Sequence, residues 1–337
     1  MNRRLFSLII LIAIYLMVSG NATGQEVIKL GTMATRESDW GQVFSRMNAK
    51  LIEESQGQLR FQFYWGRSEQ QLIESVESGL LDSVSLTGTG LGNILPEAFV
   101  FQLPMLFSEY KELDCVRDGL AQRFEEKFAG KGYILLGWGE LGFIHLFSKK
   151  PIRTQSDLRD TQVWVWDIDP IGKEFIEASC GVYPVLLPIT DVRQALQNDI
   201  IQTVYTSPLG CIAFGWHTEL NYMSDFPDFR LAAGIGATIM NKDRYDGLSD
   251  NHSALLRQVT LEYHKQLIKT IREKNEESID VLKEQGIEVI EINPTEQEQW
   301  KEVTLDIQNR FAGELFPEEL LDKIRELLNL CNDQHNH

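Results

Sequence analysis

The order of elements over residues 26–87 constrains this chain most. Val27-Ile28-Lys29-Leu30-Gly31 has the apolar, β-branched character of a strand. Ser38 or Asp39 can cap a helix that carries Trp40, Val43, Phe44, Met47 and Leu51 at helical spacing and ends at Gly57. Leu59 to Tyr64 alternates as a second strand. Ser68 can cap a second helix with Leu72, Ile73 and Val76, stopped by Gly79, and Ser83 to Thr87 is a third strand. A β-α-β-α-β run predicts a parallel sheet with helices on its faces. The fold class is therefore α/β.

Downstream the same style recurs. A helix is predicted over about 109–129 and strands over Tyr133–Gly137 and Phe143–Phe147. Lys149-Lys150-Pro151-Ile152 reads as a crossing into a second unit. That unit holds a strand at Gln162–Trp166, a helix over about 170–179, a short strand at Tyr183–Val185, a helix over about 190–198 and a strand at Ile200–Tyr205. Pro208 and Gly210 read as a break, and Tyr222-Met223 as extended. Phe229 to Met240 returns as a strand to the first unit. A long periodic helix over about 250–285 would then touch both units, with Ile287–Ile290 a last strand. Helices over about 295–312 and 317–330 close the chain.

This pattern divides the chain into a first lobe, 25–148 plus about 237–270, and a second, 149–236 plus about 271–330, with a tail at 331–337. Two lobes joined by more than one strand suit a ligand cleft between them. Hinge strands are expected near 147–151 and 229–240. The long helix is a candidate homodimer face, although bracing both lobes explains it as well.

Residues 1–24 read as a cleavable export signal. Arg3 and Arg4 precede an apolar run from Leu5 to Val18, then small residues up to Gly24. The run is shorter than the roughly 20 residues a membrane helix needs. The formal charge is −17 and becomes −19 once that segment and its two Arg are removed. A pI near 4.8 argues against a nucleic-acid partner, which needs a basic face. The chain is therefore expected to be exported, to where disulfides are permitted. Cys115, Cys180, Cys211 and Cys331 allow three full pairings, and free buried thiols remain open too.

No catalytic constellation is expected, and no cofactor or metal. Gly137-Trp138-Gly139-Glu140-Leu141-Gly142 matches G-x-G-x-x-G, but a strand rather than a helix follows it. Trp138 is also bulky where a phosphate would approach. A glycine bend at a cleft or hinge is the expectation. His335 and His337 lie in the tail, and Asp167 and Asp169 flank a turn where a cationic or hydroxyl-bearing ligand could meet them. The aromatic residues say more. Trp40, Trp65, Trp138, Trp164, Trp166 and Trp216 fall at strand ends, loops or first helical turns, where open α/β sheets present ligand sites. Phe143 and Tyr205 are similarly placed. Trp164 and Trp166 have even spacing and share one face of a strand.

Taken in order, several segments resemble the periplasmic solute-binding proteins of TRAP (tripartite ATP-independent periplasmic) transporters, of the C4-dicarboxylate-binding type. They are Ile28–Thr32 with Trp40-Gly41, Gln71–Asp82, Leu103–Phe107, Gly137–Gly139, Ser148–Thr154 with Asp157-Leu158, and Ala195–Gln197. The resemblance implies a two-lobed binding protein, not an enzyme, that takes a small organic ligand and hands it to membrane permease subunits. It also implies an Arg that grips the ligand carboxylate, and an Asn near Thr206 or Ser207. At the Arg position this chain has Trp164, and Arg153 belongs to the shared segment rather than replacing it. A bidentate fork becomes an apolar plate. The expected ligand is thus not a simple dicarboxylate, and the expected site is Trp164, Trp166, Trp138, Tyr205, Trp65, Thr206, Ser207, Phe143 and Trp40. The alternatives are a periplasmic carrier or sensor for an apolar or lipid-like ligand, and, in another class, an exported enzyme.

Overall fold

The computed structural model describes residues 25–333. The export-signal expectation and the two tail histidines lie outside the described residues.

The chain opens with β1 (Glu26–Thr32), α1 (Asp39–Glu54), β2 (Leu59–Tyr64), α2 (Glu69–Glu77) and β3 (Ser83–Thr87). As the sequence predicts, β1 lies parallel to both β2 and β3. Ser38 caps α1 by accepting from the Gly41 N–H, and Ser68 forms a capping box with Gln71 at the start of α2. Then come α3 (Gly88–Ile94), a 3₁₀ turn at Pro96–Gln102, α4 (Tyr110–Gly119), α5 (Ala121–Gly130) and β4 (Tyr133–Ser148). One helix was expected over 109–129; the chain breaks it at Leu120.

The second half holds α6 (Gln155–Arg159), β5 (Trp164–Trp166), α7 (Pro170–Cys180), β6 (Val185–Leu187), α8 (Val192–Gln197), β7 (Thr203–Thr206), α9 (Pro208–Ala213) and β8 (Tyr222–Asp225). The return is β9 (Ala232–Asn241), α10 (Lys242–Asp246) and α11 (Asp250–Glu284), and the chain ends with β10 (Glu288–Glu291), α12 (Pro294–Phe311) and α13 (Glu318–Asp333). Pro208 and Gly210 do not break the chain. Pro208 sits in the first turn of α9, where its missing N–H costs nothing.

The main sheet runs β10-β8-β4-β9-β3-β1-β2, with β7 on the other edge of β4. β4 is one strand of 16 residues where two were expected. Its first part pairs with β9 and its last part with β7 and β8. β4 thus crosses from β9 to β7 and β8, changing partner between Ile144 and His145. A bulge between Glu140 and Gly142 precedes this crossing. Gly142 takes φ +99° there, and a Cβ would strike the Asn275 amide.

α11 braces the crossing. Its Leu256, Val259, Leu267 and Ile271 enter one core and Leu282 another. Arg272 donates to both Glu140 and Asp114, and Arg117 of α4 donates to the same two carboxylates. The Arg272 guanidinium also covers the Tyr110 ring at 4.3 Å. Asn275 donates to Leu141 O and accepts from Leu209 N.

Cys115 and Cys331 form a disulfide, while Cys180 and Cys211 are free and buried. The bond fastens α13 to α4, which belongs to the first stretch of chain. The helix expected over 317–330 therefore lies against α4, held there covalently. Reducing this bond should lower the unfolding free energy by about 2–4 kcal/mol. Denaturant melts with and without reductant measure this. An unchanged midpoint would deny the bond a stabilising role.

Candidate ligand site

A cavity of about 570 Å³ opens between the two halves of the sheet. Its floor is the crossing itself: Gly139 before the β4 bulge, Leu141 in it, Ile144 and Leu146 after it, with Ala233 and Ile235 of β9. The bulge inverts the alternation, so odd positions face the cavity before it and even positions after it. One wall comes from β1, α1, β3 and the 3₁₀ turn, through Met33, Trp40, Leu86, Thr87 and Gln102. The other comes from β5, α7, β7 and α9, through Trp164, Trp166, Ile171, Phe175, Tyr205 and Phe214. Asn93 of α3 donates to Ile168 O across the gap at 3.2 Å, so the halves touch.

The second wall is an aromatic stack. Tyr205 lies on Trp164 at 5.2 Å, Trp216 meets Trp164 edge-on at 5.3 Å, and Phe214 stacks on Trp216 at 4.9 Å. Trp164 is only 2% exposed, and its indole N–H donates to Leu187 O, which fixes the ring. On the first wall the Trp40 indole N–H donates to Glu140 O at the crossing.

Of the residues expected at a site, Trp40, Trp164, Trp166, Tyr205 and Thr206 line this cavity. Trp138, Trp65, Phe143 and Ser207 are not among its lining. Trp138 meets Phe101 and Phe124 edge-on within the first core. Phe143 stacks on Tyr110 at 4.3 Å. These two flank the bulge on the face opposite to the cavity, which follows from the inverted alternation. Trp65 stacks on Phe63 at 4.4 Å, and Ser207 is fully buried as the cap of α9, accepting from Gly210 N.

Two further carboxyls line the cavity: Asp169, expected at a turn where a cationic or hydroxyl-bearing ligand could meet it, and Glu69, to which the sequence did not point. Asp169 caps α7: its carboxylate accepts from Gly172 N at 2.9 Å and from Tyr205 OH at 2.6 Å. The Asp169-Pro170 pair at a helix start was the signal available in sequence. Glu69, the first residue of α2, accepts from Thr87 N and Thr87 OH through Oε1, at 2.7 and 2.8 Å. Burial pushes Glu69 up to about 7, against the hydrogen bonds from Thr87. His264 of α11 also reaches the cavity, and burial pushes it down to about 4 despite its bond to Thr260 O. It is a neutral ring that accepts from Thr238 OH.

These two groups give stability opposite slopes in pH. Between pH 4.5 and 6.5, folded Glu69 keeps a proton that the unfolded chain releases, so raising pH destabilises. Over the same window folded His264 lacks a proton that the unfolded chain holds, so raising pH stabilises. Each spans about 3 kcal/mol, and together they nearly cancel. Glu69→Gln should expose the histidine slope, with stability rising with pH across that window in denaturant melts. An unchanged profile would mean that Glu69 does not hold its proton in the folded state.

Comparison with known proteins places the chain. The family described as bacterial extracellular solute-binding protein, family 7, matches residues 30–314. Among curated relatives, the ectoine/5-hydroxyectoine-binding periplasmic protein UehA of Ruegeria pomeroyi is 27% identical over 199 residues, 56% of each chain. The chain thus spans about half the length of that relative. The ectoine-binding periplasmic protein TeaA of Halomonas elongata is 24% identical over 304 residues, 86% of each. Among solved structures, a TRAP periplasmic solute-binding protein from Ralstonia eutropha, with bound (S)-2-acetolactate, superposes with a TM-score of 0.84 at 17% identity. That match covers 91% of this chain and 99% of the other. The fold is accordingly that of the two-lobed TRAP binding proteins, and the resemblance drawn from sequence holds. The chain belongs to the bacterial extracellular solute-binding proteins of family 7.

Proposed function

We propose that this protein is an extracytoplasmic, periplasmic carrier. It captures a small organic ligand between its lobes and delivers it to the permease subunits of a TRAP transporter. The family and fold are those of binding proteins rather than enzymes. The lobes would move about the crossing of β4 and β9, and the Asn93 bond to Ile168 O would hold them together over the ligand.

One observation carries the ligand class. Among the described residues lining the cavity there is no Lys and no Arg, while aromatic rings form one wall. A carboxylate drawn into such a cleft would lose its water and gain no counter-charge. The Trp164 position, where the resemblance leads one to look for Arg, supports the same reading. The ligand is therefore not a dicarboxylate, and stacking on Trp164, Trp166 and Tyr205 supplies its affinity.

Native mass spectrometry of protein purified from the periplasm should reveal a carried-over small molecule. Trp166 is half-buried and makes no side-chain bond that its neighbours need, so Trp166→Ala should keep the fold. It should weaken that ligand by about tenfold in calorimetry, the value of one stacking contact. Undiminished affinity in Trp166→Ala would remove the aromatic wall from the site. Turnover of the ligand would contradict the carrier role.

A further inference from the structure

The geometry points to a cation-binding pole in this cleft, made by the Asp169 carboxylate and the rings of Trp164, Trp166 and Tyr205, so that the ligand carries a positively charged nitrogen. This rests on the reading of the cleft as the ligand site and adds the charge of what it takes.

Two carboxyls sit buried on the cavity wall, and a third, that of Glu140, is buried on the other face of β4; their surroundings differ. Glu140 is fully compensated by Arg117 and Arg272. Asp169, 9% exposed, has only neutral donors, the Gly172 N–H and the Tyr205 hydroxyl. It belongs to no ion pair among the described residues. Glu69, on the opposite wall and 1% exposed, likewise has no ionic partner, and its Oε2 makes no hydrogen bond at all. A buried carboxylate without a counterion is costly, and a chain normally pairs it, as it does Glu140. Here Asp169 remains uncompensated, and across the cavity Glu69 keeps a buried oxygen with no hydrogen-bond partner.

The rings favour the same sign of charge. Aromatic faces carry negative potential and attract alkylammonium and guanidinium-like groups. Tyr205 brings the two elements together, because its ring stacks on Trp164 while its hydroxyl donates to Asp169 and accepts from Trp166 N. The mouth adds Glu37 and Asp39 and no base. An anion would meet acid on both walls. A neutral molecule would bury the rings but leave Asp169 without a counter-charge. A cation with an apolar body satisfies both features, and alkylated ammonium compounds are the class that fits.

Calorimetry on the mature protein tests this with paired probes. Choline and benzyltrimethylammonium are each compared with the neutral analogue that has carbon in place of the charged nitrogen, and succinate is the anionic control. Each cation should bind at least about tenfold more tightly than its neutral partner, and succinate should not bind. Asp169→Asn preserves the helix cap and the Tyr205 contact. It should cut cation affinity by about tenfold, spare the neutral analogues and leave the melting temperature within a few degrees. Equal binding of cation and analogue, succinate binding, or undiminished cation affinity in Asp169→Asn would overturn the inference. So would failure of both cations to bind by about 10 mM. Trp166→Ala separates the two levels: it should weaken the cations and neutral analogues alike if the cleft is the site. An anion carried over on the purified protein would refute the cation pole and leave the cleft intact.

Discussion

The continuous pairing of β4 with β9 through the lobe junction is the constraint on which the rest of the molecule depends. Gly142 faces Gly234 there, and neither position has room for a side chain: one is closed by the Asn275 amide, the other by the backbone of Gly142. Asn275 then ties the helix to the junction at Leu141 and to the second half at Leu209. One turn earlier, Arg272 satisfies the buried Glu140, whose desolvation would otherwise be costly. With the floor held this way, both walls are positioned relative to it, and the cavity has a defined width.

Much of the fold was legible because its signals are local. Ser38 and Ser68 announce helices that begin where predicted, and the alternation of Leu59–Tyr64 marks a strand. The junction was not legible in the same way. A six-residue glycine motif suggested a bend between two strands, but a bulge lets one strand continue through it. That outcome depends on β9 lying alongside, which no window of sequence contains. The disulfide is similar, since its partners are 216 residues apart and meet only because α13 packs on α4.

The site was legible by type more than by residue. Aromatic residues at strand ends pointed to the second wall, and Trp164 with Trp166 does face the cavity. Trp138 and Phe143 obeyed the same rule but lie on the other side of β4, because the bulge decides which parity faces in. Asp169 resembled an ordinary turn residue in a chain rich in acid, and Glu69 an ordinary first-turn carboxylate. What distinguishes them is burial without a base nearby, a property of the packed molecule.

The wiring of β9 also has a temporal side. It fills the middle of the first half's sheet, between β3 and β4, yet it enters the chain only after β5 to β8. Ser83 meets Met240, and Gly139 meets Gly236, across stretches that include every strand from β5 to β8. Until those residues arrive, β3 presents an open edge and the first half has no completed core. Closing loops of this length comes before the contacts that reward it, which slows folding. The sheet of the amino-terminal half is therefore completed only by a strand from the later part of the chain, a wiring that raises contact order.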